Sequence, residues 1–494
     1  MNKLKIKSFL AVSAIFAAFM LAALYFNLEM HMAGLAGGAQ TPIITRGQQS
    51  GGAAFGRVGI ISQMCEKNRI ITKTLDLLRL DHAQIEPSSK MDDLDILIVN
   101  LPEITPGEMA YFRDFLAAGG NIIFAALPKE NPPDLQQLLA INSIGADFES
   151  KSIDIFDGIL IGGGFAADDF PVAARRVGLS GRARVYAHAD TPANPLIWRT
   201  FHQGGAIYAM NGDFFNDYSG MGILAGLIAL AYGDFIYPIV GTKTILLDNF
   251  PFLPEDSSSI YYRSPFAFAR DVLWPDLSRM SAEFDLPFTA ILNSGYFHNH
   301  DSQRAVNFFA NQLFKHGRGE LRNADNSPDA AAFLLPGWDG AFEWASEAAV
   351  KIPRTSGGID GGRGLFAMQS AATAMGFAMH HIDFAPVFAR EYDWPAFSRR
   401  LDGFFSQSFA ALDFLETTTA SRAAESLKNY LNTNIYITRR ANGMDLEING
   451  NDLPVSFILR TTRQFSGNFA DIQKIGRGIY KITVIGDNLS IDFE

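Results

Sequence analysis

The chain has 494 residues, one cysteine, 41 phenylalanines, and 41 Lys and Arg against 52 Asp and Glu, a formal net charge of −11. At 48% hydrophobic it can build cores, which excludes intrinsic disorder. One thiol excludes a disulfide framework and a cysteine-based zinc module, and the acidic balance excludes nucleic acid as the main partner.

Lys3, Lys5 and Lys7 precede an uncharged apolar run from Phe9 to Phe26. As a helix that run covers about 27 Å, close to the hydrocarbon thickness of a bilayer. Positive charge before it predicts a cytoplasmic amino terminus and an exported remainder. Residues 1–30 therefore read as a signal anchor in the inner membrane, with the rest facing the periplasm. A cleaved signal peptide is the alternative, and would leave an exported protein. The Gly- and Ala-rich stretch 31–55 reads as a linker.

From Arg57 the pattern becomes α/β. Val58–Ile61, Asp95–Val99 and Asn121–Ala125 read as buried strands. Thr72–Leu80 and a helix starting at Pro106 separate them. Short connections of this kind predict a parallel, doubly wound sheet. Ile159–Ile161, Arg184–His188, Pro195–Trp198 and Ala206–Met210 read as further strands. Met221–Tyr232 reads as a packed core helix that closes the domain. Residues 56–240 resemble the glutamine-amidotransferase-like domain, notably in the helix, Gly119-Gly120, strand step. Enzymes of that class carry a nucleophilic cysteine at a strand-to-helix elbow. Cys65 follows the first strand without a Gly-rich elbow, so the domain reads as non-catalytic.

Thr244–Leu247 begins a second α/β domain, 241–430, and ends in Asp248-Asn249-Phe250-Pro251. Phe288–Leu292 is the next strand, Ala305–His316 a helix, and Trp394–Phe404 another. The alternation points to a barrel built of βα units. Gly357–Gly364 lacks the ending of a phosphate loop and reads as a flexible loop over the cleft. From about Leu431 the period changes to short strands with hairpin turns. Residues 431–494 thus read as a small antiparallel β domain.

An acid at the carboxyl end of a buried strand occupies the usual active-site position of such folds. Here the chain resembles the NodB-type polysaccharide deacetylases. Their first motif is a strand ending in two adjacent Asp residues. The first acts as base, and the second binds a divalent metal, with two His of a later motif. Asp248 matches the base. Asn249 stands at the metal-binding Asp and supplies a carbonyl but no charge. In the later motif, Gly319–Pro328, Ala324 stands where the first metal His belongs. The resemblance implies a zinc-type divalent metal held by a degenerate motif.

Two His clusters are candidate replacements. His298 and His300 form an HxH pair; on an extended segment both rings point to one side. His380 and Asp383, three apart, share a face if that segment is helical. A polar loop or a satisfied core histidine is the alternative for each. Trp274, Trp338 and Tyr261 are candidate sugar-stacking residues, with core packing as their alternative.

Anchor, amidotransferase-like domain, deacetylase-like domain and β domain follow the order of the carboxy-terminal part of the Pel exopolysaccharide deacetylase proteins. The resemblance implies a membrane-anchored envelope protein acting on or binding N-acetylated exopolysaccharide. Catalysis would rest on Asp248, with His380, Asp383, Asn249 and His298 as metal ligands. The alternative is a catalytically inactive scaffold or glycan-binding protein of an exopolysaccharide synthesis complex.

Overall fold

The computed structural model describes residues 55–63, 66–87, 93–251, 265–292, 300–314, 319–323, 332–335, 337–338, 342–346, 349–359, 361–384, 387, 393–450 and 453–494. The expected anchor, residues 1–30, lies outside them. No helix among the described residues is long and apolar enough to cross a membrane.

Leu94–Asn100 and Asn121–Phe124 are continuous apolar runs that need cover on both faces. They lie inside a nine-stranded sheet. Its order is His82–Gln84, Arg57–Ser62, Leu94–Asn100, Asn121–Phe124, Gly205–Met210, Pro195–His202, Arg184–Ala189, Ile153–Ile155, Phe165–Ala167. The first five strands are parallel, as expected. The other four run antiparallel, which corrects the all-parallel reading. The two-residue turn Gln203-Gly204 permits only a hairpin, because a parallel pair needs a long crossover. Between the first strands, Thr105 caps the Pro106–Ala117 helix. Its hydroxyl accepts from the Glu108 amide, and the Glu108 carboxylate accepts from the Thr105 amide.

Ile159–Ile161 is not a strand. It is buried, yet its backbone bonds run to side chains. Arg460 donates to the Ile159 carbonyl, and the Ile161 amide donates to the Thr373 hydroxyl. Side-chain partners thus replace a ladder, which satisfies the same buried groups.

The helix Met221–Tyr232 is buried through its first nine residues and packs on the helix Gly361–Met375 of the second α/β layer. One apolar cluster consequently runs through both layers, from Ile123 to Ile245 and Phe377. Gly222 permits the approach. Its amide donates to the Ser370 hydroxyl at 2.8 Å, and an added Cβ would lie 2.4 Å from the Ser370 Cα. Gly222→Val is expected to cost about 1–3 kcal/mol or more, read from urea denaturation. An unchanged midpoint would show that the two helices separate freely.

The second sheet runs Glu320–Asn323, Phe288–Leu292, Thr242–Phe250, Phe377–Ile382, Ser356–Gly357, all parallel. Glu416–Thr417 pairs beside the start of the central strand. Among the described pairings nothing joins the two outer strands into a closed barrel. The stretch read as a flexible loop over 357–364 carries regular structure at both ends: Ser356–Gly357 pairs with His380 and His381, and a helix starts at Gly361. The apolar run before Asp383 divides into that helix and the strand Phe377–Ile382.

The tail forms two four-stranded antiparallel sheets over a core containing Ile236, Leu446, Phe457, Ile482 and Ile491. Phe235–Ile239 pairs with Val455–Arg460, so this β layer recruits a strand from before residue 240. All five residues of that strand are buried, and the tail supplies the cover they need.

Candidate active site

The first six residues of Thr242–Phe250 are buried between Phe288–Leu292 and Phe377–Ile382. The strand then bulges. Leu247 pairs with Ala290 and Phe250 with Leu292, so the central strand carries one extra residue over that span. Asn249 takes φ 58°, the left-handed region that Asn tolerates better than most residues. A bulge of this kind re-aims side chains at a strand end. It delivers Asp248 and Asn249 to the carboxyl edge of the sheet.

Three neighbours converge on Asp248. Arg354 donates from Nη1 to Asp248 Oδ2 at 2.6 Å, and both side chains are largely buried. His381 and Asp383 lie within electrostatic reach. Burial pushes the Asp248 carboxyl above its ordinary range; Arg354 and His381 oppose that rise, and Asp383 adds to it. Asn249 Nδ2 donates to Asp383 Oδ1 at 3.3 Å.

His381 is held by an atom that can only accept. Its Nδ1 lies 2.8 Å from the Ser356 carbonyl oxygen, so Nδ1 carries the hydrogen and neutral His381 presents a lone pair at Nε2. Gly357 makes room for the ring. An added Cβ there would lie 2.0 Å from His381 Cε1.

His380 belongs elsewhere. The segment is a strand, not a helix, so successive side chains point to opposite faces. His380 and Asp383 therefore do not share a face. The His380 ring is fully buried, 4.3 Å from the Phe404 ring, with Nδ1 bonded to the Ser356 hydroxyl at 2.9 Å. His298 and Tyr261 lie outside the described residues, as does the motif segment beginning at Ala324. Trp274 is 5% exposed, with Phe309 stacked on it at 5.7 Å and Phe250 against it at 5.7 Å, so its ring serves the core. Trp338 is partly buried against the same core. A cavity of about 440 Å³ lies between the Trp274–Glu283 and His300–Phe314 helices, apart from the Asp248 group.

The resemblance to NodB-type deacetylases implies a metal. Among the described residues no three His, Cys, Asp or Glu side chains are placed to hold one. Asn249 also turns its NH₂ group, not its oxygen, toward Asp383. The described residues alone do not fit a zinc-type ion, and no step below runs through one.

Sequence reasoning missed Arg354 and His381. Strand alternation through FAMHHI was the available signal for His381. Nothing in the sequence joins Arg354 to a residue 106 positions earlier.

The fold that the described residues build is shared with a solved structure. The structure of Agd3, described as a novel carbohydrate deacetylase, is similar over 90% of this chain and 99% of that one, with 6% identity and a TM-score of 0.53. A β-galactosidase from Bacillus circulans sp. alkalophilus is similar over 38% of this chain and 34% of that one, with 14% identity and a TM-score of 0.28. No curated protein matches in sequence. The chain belongs to the family described as uncharacterised protein conserved in bacteria, DUF2194, whose profile matches residues 57–326.

Proposed function

We propose that the protein is an envelope polysaccharide de-N-acetylase of the NodB type, built on a (β/α) barrel and anchored by its amino-terminal segment in the inner membrane, facing the periplasm. The supporting observation is the convergence of Arg354, His381 and Asp383 on a bulge-borne Asp248 at the carboxyl edge of a parallel sheet. Arg354 occupies Asp248 Oδ2, which leaves Oδ1 to take a proton from water. The water oxygen bonds to the acetamide carbon as that proton leaves. The carbon–nitrogen bond then breaks, and the proton that Asp248 took from water passes through the Nε2 lone pair of His381 to the departing amine. The products are acetate and a free amino sugar.

A second reading is favoured by the Asn249–Asp383 contact, which puts an amide where the resemblance implies a metal-binding carboxylate. It is an inactive deacetylase-fold protein that binds glycan within an exopolysaccharide synthesis complex. Acetate release from N-acetylglucosamine oligomers decides between them, measured with the full chain, with and without added zinc, cobalt or nickel. Release supports hydrolysis. Oligomer binding without release under every metal condition supports the second reading and overturns the first.

A further inference from the structure

Arg184 and Arg199 face each other across the antiparallel strands Arg184–Ala189 and Pro195–His202. Their guanidinium carbons lie 5.3 and 5.9 Å from the centroid of the same Tyr186 ring. The Arg199 carbon also lies 4.4 Å from the Phe201 ring centroid. Like charges on directly opposed residues destabilise a strand pair. In this acidic protein carboxylates are plentiful, and arginines such as Arg175, Arg354 and Arg440 pair with Asp. Among the described residues, however, neither Arg184 nor Arg199 forms an ion pair. Arg199 Nε is buried with no hydrogen-bond partner. Tyr208, opposite Arg199 on the next strand, donates its hydroxyl hydrogen to the Leu230 carbonyl, and its oxygen accepts from the Arg199 side chain but brings no charge. Beside Arg199, Phe201 stands 66% exposed.

Among the described residues this arrangement lacks an anion. Two guanidiniums fixed on aromatic faces present planar donors suited to a carboxylate. An exposed phenyl ring beside Arg199 offers an apolar plane to the C–H face of a pyranose. We propose that Arg184, Arg199 and Phe201 form a docking site for a carboxylate-bearing sugar unit of an acidic polysaccharide. The site is on a different sheet from Asp248 and holds the polymer without reacting with it. It rests on the proposed function only in assigning the anion to a sugar.

Isothermal titration of the full chain with galacturonate oligomers tests the proposal, beside neutral N-acetylglucosamine oligomers as the Asp248 probe. Galacturonate is expected to bind more weakly as salt rises. Arg184→Gln and Arg199→Gln are each expected to lower its affinity about tenfold or more. Phe201→Ala, at an exposed position, is expected to lower it too, and Asp248→Asn to leave it unchanged. Both arginine variants are expected to melt no lower than the wild type, because each relieves a like-charge contact. Absent galacturonate binding, or binding indifferent to the arginine variants, overturns the site. Equal binding of inorganic phosphate or phosphatidylglycerol vesicles, lost in the same variants, overturns the sugar assignment. Binding of N-acetylglucosamine oligomers alone removes this site and spares the Asp248 reading. Binding of galacturonate alone does the reverse.

Discussion

Asp248→Asn is expected to lower acetate release by about 10²- to 10⁴-fold, the usual contribution of a positioned acid or base, and to leave the fold intact. An amide keeps the shape and can still accept from Arg354, but it cannot take a proton from water. The fold should survive because burial already disfavours the ionised carboxyl that the substitution removes. The same burial sets the pH dependence. A base must be ionised, so activity falls as pH drops through the raised carboxyl value of Asp248. Arg354→Gln removes the cation that opposes the rise. The acid limb of the profile should then move to higher pH. Release that persists undiminished in Asp248→Asn would remove the residue from catalysis, and an unmoved limb in Arg354→Gln would break the link between the pair and the base.

The largest expected pH effect on stability lies one face away, at His380. Complete burial holds its imidazole neutral and pushes its pKa down to about 3, with the neighbouring His381 adding to the depression. In the unfolded chain the ring takes up a proton near the ordinary value of about 6.5. The unfolded state therefore binds more protons between those values. The contribution is fully present above about pH 6.5 and is lost as pH falls toward 3. At about 1.4 kcal/mol per pH unit, the loss should reach about 2 kcal/mol by pH 5. Urea denaturation at pH 7.5 and 5.0 reads it as the difference between wild type and His380→Gln, since other groups titrate in both. If the variant loses as much stability on acidification as the wild type, His380 is not buried neutral.

Much of the fold was legible because local pattern and tertiary demand agreed. Leu94–Asn100, Phe288–Leu292 and Met221–Tyr232 are apolar runs bounded by turn residues, and each became the expected element. Ile159–Ile161 failed for the opposite reason: three apolar residues announce burial, but a strand needs a partner ladder, and distant Arg460 and Thr373 served its backbone instead. The candidate site divides the same way. Asp248 was readable from its place after a buried strand. His380 was chosen over His381 because a helical reading gave it a shared face with Asp383, and a strand reverses that assignment.

The sequence by itself determined the class of the protein: α/β layers, a β tail, and an acid at the end of a central strand, all written in hydrophobic period and turn residues close together in the chain. Only the tertiary structure decided what surrounds that acid. Arg354 reaches Asp248 because Ser356–Gly357 adds to the sheet beside Phe377–Ile382. Asn249 meets Asp383 because the central strand bulges next to that same strand. Such meetings depend on which strands become neighbours and in what register, and pairing over a hundred residues leaves no periodic trace in the chain.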